Sequence, residues 1–227
     1  RVLFRSNYKM GGIVRLSGAD STMAKQLSAE LTDILGCQVV IAQPGEVADI
    51  TFSLCNDARL GDEGYTMAIS ANEGVKIAAT TQTGLFWGTR SLLQMLVTGK
   101  GELPCGKALD IPRYQVRGFL LDVGRLPIPM SYLYDTVKYM AWFKMNDLHI
   151  HLNDNFIFLE DYVKAGRDPL KEAYSAFRLE SNVVGENGQR LTADDLSYTK
   201  AEFRDFIAFA KAYGVKIIPE FDTPAHA

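Results

Sequence analysis

The chain contains few residues suited to redox or metal chemistry: its 227 residues include only three cysteines and three histidines. Cys37, Cys55 and Cys105 lie far apart and form no Cys-x-x-Cys pair. An odd number of widely spaced cysteines argues against a disulfide scaffold and against a thiolate zinc site. We therefore expect three buried thiols with a structural role.

The sequence also lacks a charge excess and a long apolar run. Its net charge is −3, and its Lys and Arg residues are scattered, so we expect neither nucleic acid nor an anionic membrane surface as a partner. No apolar stretch approaches the roughly 20 residues that span a bilayer. A composition of 47% hydrophobic and 22% charged residues is ordinary for a globular protein.

Three common catalytic signatures are missing as well. No G-x-G-x-x-G run opens a helix, no phosphate-binding loop is present, and no G-x-S-x-G motif occurs. Dinucleotide binding and α/β-hydrolase chemistry are therefore not predicted.

The pattern changes near residues 111–112, which divides the chain into residues 1–112 and 113–227. The first part reads as a small α+β domain. We predict strands at 11–16, 37–42, 50–54, 65–70 and 75–80, and helices at 21–35 and 83–96. Ser21 or Thr22 can cap the first helix and Gly36 can end it, while the Gly-rich residues 98–107 read as a loop.

The second part alternates strands and helices. We predict strands at 118–123, 147–152 and 215–221, with helices at 131–144 and 199–213. Short apolar strands that alternate with helices indicate a parallel sheet buried on both faces. Three strands do not close a barrel, but they fit the first three β/α steps of a larger one. Residues 153–198 lack strong periodicity, and connections of this length are commonly functional.

Polar side chains cluster near the ends of the three predicted strands of the second part. The first strand has Arg117 near its start and Asp122 and Arg125 at its end, the second has His149, His151, Asn153 and Asp154, and the third has Glu220, Asp222 and His226. The carboxyl ends of parallel strands are where ligands bind in such folds. Simpler explanations remain open: a buried Arg117–Asp122 ion pair, structural hydrogen bonding by His149 and His151, and a loop position for His226.

Three motifs in this part resemble a known family. Residues 117–122 (Arg-Gly-Phe-Leu-Leu-Asp), 149–154 (His-Ile-His-Leu-Asn-Asp) and 218–226 (Ile-Pro-Glu-Phe-Asp-Thr-Pro-Ala-His) are similar to successive motifs of glycoside hydrolase family 20. That family contains β-N-acetylhexosaminidases and lacto-N-biosidases. Residues 65–96, a hairpin followed by a helix, resemble the small domain that precedes its catalytic barrel.

The resemblance implies both a fold and an activity. The fold is a small α+β domain followed by the first three β/α units of a (β/α)8 TIM barrel. The activity is removal of terminal β-linked N-acetylhexosamine from glycans by a retaining mechanism in which the substrate's own acetamido oxygen attacks the anomeric carbon. The Asp-Glu pair that performs this chemistry follows the fourth strand in the family. The 227 residues contain no such pair in that context, so we expect this chain to be inactive alone.

The resemblance also assigns roles to five residues. Arg117 is expected to bind the outer hydroxyls of the sugar, and Asp154 to lie near the sugar and the general acid. His226, supported by Asp222, is expected to hydrogen-bond the acid. His151 is expected to contact these side chains and not the sugar itself. No cofactor and no metal are implied, the partner is an N-acetylhexosamine-containing glycan, and export from the cytoplasm is expected.

Two other functions remain open from the residues alone. His149 and His151, with Asp222 and His226, have the chemistry of zinc ligands and allow a metal-dependent hydrolase. Because the catalytic Asp-Glu pair is absent, a non-catalytic carbohydrate-binding module is the second alternative.

Overall fold

The computed structural model describes residues 6–43, 45–154, 159–168, 176–186 and 188–223. The chain forms two compact units, Arg1–Gln115 and Val116–Ala227. None of the described helices combines the length and the apolar character that crossing a membrane requires.

The first unit is built on a mixed six-stranded sheet with the strand order β3-β2-β4-β6-β5-β8. Its strands are β1 (Asn7–Lys9), β2 (Ile13–Ser17), β3 (Gln38–Ile41), β4 (Ile50–Leu54), β5 (Tyr65–Ser70), β6 (Gly74–Ala79), β7 (Glu102–Pro104) and β8 (Gly106–Asp110). The predicted hairpin is confirmed as β5 and β6, which pair antiparallel. Gly74 has φ +69 there, a conformation that glycine adopts without steric cost.

Two helices, α1 (Ser21–Leu35) and α2 (Gln82–Thr98), supply the apolar side chains that cover this sheet. Leu27 and Leu31 of α1 are fully buried, as are Leu92 and Leu93 of α2. The predicted cap of α1 was wrong: the Asp20 carboxylate, rather than Ser21 or Thr22, accepts the first free backbone N–H groups. Gly36 ends the helix in the left-handed conformation, as expected.

The predicted loop at residues 98–107 is also wrong, because it contains strand β7 and the start of β8. Strand β7 pairs with β1, and β8 pairs with β5. Four of the five β8 residues are exposed, so this strand has no alternation of apolar and polar residues. Its pairing with a distant strand stabilises it, and a local pattern does not reveal that.

The second unit contains a parallel three-stranded sheet with the order β11-β10-β9. Its elements are β9 (Gly118–Asp122), α3 (Met130–Trp142), β10 (Asp147–His151), α4 (Leu159–Lys164), α5 (Lys200–Ala212) and β11 (Lys216–Glu220). The predicted strands and helices are confirmed to within a few residues at each end, and α4 was not predicted. Thr199 and Glu202 form the expected capping box at the start of α5.

The two faces of this sheet differ in chemistry. Leu148 and Ile150 of the central strand are fully buried and belong to one apolar cluster with residues of α3 and α5, among them Val137 and Phe206. Because side chains alternate along a strand, His149 and His151 lie on the opposite face. The helices thus cover one face. The prediction of a sheet buried on both faces is wrong for the described residues, because Leu120, which is paired with His149 on the opposite face, is 53% exposed.

Candidate active site

Parallel pairing aligns the last residues of the three strands of the second unit. His151 of β10 is paired with Asp122 of β9 and with Glu220 of β11. Paired residues of neighbouring strands point to the same face of a sheet, so these three side chains form a row at its carboxyl end.

His151 is the centre of this row. Its Nδ1 atom lies 2.7 Å from Glu220 Oε2, and its Nε2 atom lies 2.8 Å from Asp154 Oδ2. The His149 Nε2 atom lies 2.9 Å from the same Glu220 oxygen, so both histidines share one face, as predicted. The side chains of His151 and Asp154 are 9% and 5% exposed, which shields this contact from solvent.

The hydrogen bonds of His151 determine its protonation. An ionised carboxylate only accepts hydrogen bonds, so with both carboxylates ionised each ring nitrogen donates and this geometry favours the imidazolium. Burial lowers the pKa of His151, but hydrogen bonds to Asp154 and Glu220 and the charges of Glu220 and Asp122 outweigh it, so that the pKa is raised above its ordinary value.

Arg125 is the second cation of the site. Its guanidinium donates to Asp122 Oδ2 at 2.6 Å and also forms an ion pair with Asp154 Oδ2. The other Asp122 oxygen accepts the backbone N–H groups of Gly124 and Arg125 at 2.9 and 3.1 Å. Two acids from successive strand ends are therefore held together by one arginine.

Gly124 allows the turn after β9 to approach the end of β10 closely. A Cβ atom on Gly124 would lie 2.8 Å from backbone atoms of Asn153, which leaves no space for a side chain. Asn153 is fully buried, and its side-chain amide exchanges two hydrogen bonds of 3.0 Å with the backbone N–H and C=O of Asp222. The ends of all three strands are thus joined by specific contacts.

The site includes two groups of side chains with the spacing of metal ligands, Asp122 with His151 and Asp154, and His151 with Glu220 and Asp222. Both groups depend on His151. A metal ion would have to replace one of the two carboxylate hydrogen bonds of this imidazole and its proton. The arrangement therefore suits an ion-pair network better than a metal centre.

The predicted site residues are distributed unevenly over this structure. His151 and Asp154 are in direct contact. Asp222 joins the site through its backbone hydrogen bonds to Asn153 and through its carboxylate, which lies within 4.8 Å of His151 and Glu220. Arg117 lies just before the amino end of β9, where its Nε donates to the Lys144 carbonyl at 2.6 Å. The structure therefore does not bring Arg117 to the carboxyl-end row, and His226 lies outside the described residues.

Three further residues belong to the site. Glu220 and Arg125 were recognised at the strand ends, but only the register of the sheet shows their partners, which are His151 for Glu220 and Asp154 for Arg125. Arg178 lies in the segment without periodicity, and its side chain reaches the turn after β9. In the sequence, the only local indication that Arg178 is buried is its position between Phe177 and Leu179, and this does not identify its partners.

The helices cover one face of this parallel sheet, and acids, an imidazole and a guanidinium gather at its carboxyl end. This arrangement is typical of the first strands of a (β/α)-barrel domain. The profile of the glycosyl hydrolase family 20 catalytic domain matches residues 114–227, and that of family 20 domain 2 matches residues 6–111. The chain belongs to glycoside hydrolase family 20.

Individual relatives agree with this assignment. The chain is 29% identical over 213 residues to a lacto-N-biosidase from Bifidobacterium bifidum, covering 92% of this chain and 16% of that protein. It is 31% identical over 170 residues to a beta-hexosaminidase from Akkermansia muciniphila, covering 74% of this chain and 32% of that protein. The chain thus spans a third or less of the length of these two relatives.

A solved structure supports the fold. A Streptomyces plicatus beta-hexosaminidase matches with a TM-score of 0.75 and 24% identity, over 98% of this chain and 44% of that one. The predicted fold class is thereby confirmed: a small α+β domain precedes the first three β/α units of a (β/α)8 barrel.

Proposed function

We propose that this chain is the front part of a glycosidase that removes terminal β-linked N-acetylhexosamine by the substrate-assisted retaining mechanism. In this proposal the residues that complete the barrel supply the catalytic Asp-Glu pair. The natural polypeptide that carries this chain and those residues is called the complete enzyme below.

The observation that carries this proposal is the charged row at the carboxyl end of the sheet. Asp154 is buried between two cations, Arg125 and His151, so its carboxylate is held in one orientation. A fixed negative charge near a sugar that develops positive charge at its anomeric carbon is favourable for glycoside hydrolysis. Relatives named beta-hexosaminidase and N,N'-diacetylchitobiase are consistent with this substrate class.

The proposal is tested by comparing the chain with the complete enzyme on an aryl N-acetyl-β-glucosaminide. We expect turnover by the complete enzyme and none above background by the 227-residue chain, because the acid and the acetamido-orienting residue lie outside it. Robust hydrolysis by the chain alone would contradict the proposal that the catalytic Asp-Glu pair comes from the residues that complete the barrel. Tight sugar binding without turnover by the complete enzyme would favour a carbohydrate-binding module, and a rate abolished by a chelator would favour a metal-dependent hydrolase.

Arg117 is proposed to bind the hydroxyls of the terminal sugar, since a guanidinium can donate to two neighbouring oxygens. Arg117→Ala in the complete enzyme is then expected to raise KM and to lower kcat/KM by about thirtyfold, the loss of one or two charge-assisted hydrogen bonds. Steady-state kinetics measure both, with Arg204→Ala on the exposed side of α5 as the control. A lower melting temperature with unchanged KM would instead assign Arg117 to its contact with the Lys144 carbonyl.

A further inference from the structure

Arg178 is a buried cation outside the three strand-end motifs. It is 3% exposed, and its side chain donates to oxygen atoms of four residues. Its Nε donates to the Val123 carbonyl at 2.9 Å, and its Nη2 donates to the Gly124 carbonyl at 2.9 Å. Its Nη1 donates to the Leu196 carbonyl at 3.0 Å and forms an ion pair with Asp195. A buried guanidinium with this many partners is held in a single orientation.

The backbone of Arg178 is held equally firmly. Its N–H donates to the Leu152 carbonyl at 3.0 Å, next to the end of β10, and its C=O accepts the Tyr198 N–H at 2.6 Å, just before α5. One residue thus connects the turn after β9, the end of β10 and the entry to α5. This combination makes its side chain a rigid support for the turn.

The turn that Arg178 holds carries Arg125. The N–H groups of Gly124 and Arg125 donate to Asp122, while the carbonyls of Val123 and Gly124 accept from Arg178. Without the guanidinium, two buried carbonyls would lose their donors, and the turn would have to rearrange toward water. Arg125 would then lose the position from which it binds Asp154.

We propose that Arg178 is a positioning residue that holds the turn after β9 so that Arg125 keeps Asp154 in its catalytic orientation. The guanidinium acts through five donated hydrogen bonds to four residues, Val123, Gly124, Asp195 and Leu196. A lysine cannot replace it, because a single ammonium group does not reach the adjacent carbonyls of Val123 and Gly124 and the Leu196 carbonyl together, as the planar guanidinium does. The kinetic part of this inference rests on the proposed function, whereas its structural part does not.

The test uses the complete enzyme with Arg178→Lys, Arg125→Gln and the double variant, and with Arg204→Lys as a matched control on the exposed surface of α5. Hydrogen exchange of the amides at residues 123–125 is expected to become about tenfold faster in Arg178→Lys, as loss of charge-assisted hydrogen bonds predicts. We expect kcat to fall about tenfold with KM nearly unchanged, and no further fall when Arg178→Lys is added to Arg125→Gln.

Two results would overturn the proposal. One is faster hydrogen exchange in Arg178→Lys that is confined to residues 189–199. The other is a kcat of the double variant lowered by the product of the two single losses. Either result would show that Arg178 stabilises residues 189–199 and does not position Arg125. If Arg178→Lys does not fold, Asp195→Ala removes one partner of the guanidinium and is expected to give a smaller acceleration at residues 123–125. If the unmodified enzyme hydrolyses no N-acetylhexosaminide, the proposed function fails, and the exchange measurement still decides whether Arg178 holds the turn.

Discussion

Replacing Asp154 by asparagine in the complete enzyme is expected to lower kcat/KM by about a hundredfold, equivalent to about 3 kcal/mol of transition-state stabilisation. The carboxylate oxygen that binds Arg125 and His151 would become part of a neutral amide. An amide cannot compensate two cations, and its NH2 group would face a donor on one side. The arrangement of both cations around this carboxylate oxygen would be lost with it.

The same substitution is expected to lower the free energy of unfolding by about 2 kcal/mol, less than for a fully buried pair because Arg125 is partly exposed to solvent. Asp135→Asn on the exposed side of α3 is a matched control, since the Asp135 carboxylate forms a solvent-exposed ion pair with Lys138. Wild-type kinetics for Asp154→Asn would exclude Asp154 from the reaction. A stability loss without a rate loss would make it a purely structural residue.

The second large effect concerns pH. Because the folded-state pKa of His151 is raised above its unfolded value, its charge stabilises the fold fully below about pH 6.5, the ordinary imidazole pKa. This contribution is lost as the pH rises from there through the folded pKa. We therefore expect the stability difference between the wild type and His151→Gln to be largest near pH 6 and to shrink as the pH increases.

Thermal unfolding of both proteins from pH 5.5 to 8.5 measures this difference, and subtraction cancels groups that titrate alike in both. Glu220→Gln keeps an oxygen that can accept from His151 but removes one of the negative charges that raise its pKa, so it should reduce the pH dependence without abolishing it. A difference that grows with pH would show that the imidazole is neutral in the folded state. The assignment of a doubly hydrogen-bonded imidazolium to His151 would then be wrong.

Much of the secondary structure could be predicted from local patterns. Strands β9, β10 and β11 are short apolar runs bounded by helices with recognisable ends, such as the capping box at Thr199 and Glu202. Strand β8 could not be predicted, because its stability comes from pairing with β5, about 40 residues earlier in the chain. The cap of α1 was misassigned because Asp20, Ser21 and Thr22 are all suitable capping residues, and only the backbone conformation at Asp20 separates them.

The candidate site was predicted in part. The alternation of His149 and His151 correctly placed both on one face, and the position of Asp154 after β10 correctly placed it at the carboxyl end. The partners were not predicted: Arg125 binds Asp154 from another strand end, and His151 binds Glu220 across the sheet. Sugar binding by Arg117 at this end of the sheet would require its side chain to leave the Lys144 carbonyl. That role of Arg117 remains a prediction.

The amino-acid sequence by itself determined the order of strands and helices, the parallel sheet, the family and which polar residues follow each strand. These follow from periodicity and short motifs, which depend on residues close together in the chain. Only the tertiary structure decided that Asp154 lies between Arg125 and His151 and that Arg178 holds the turn beside them. Those contacts join residues brought together by strand register and by one close approach at Gly124, and no local pattern encodes that geometry.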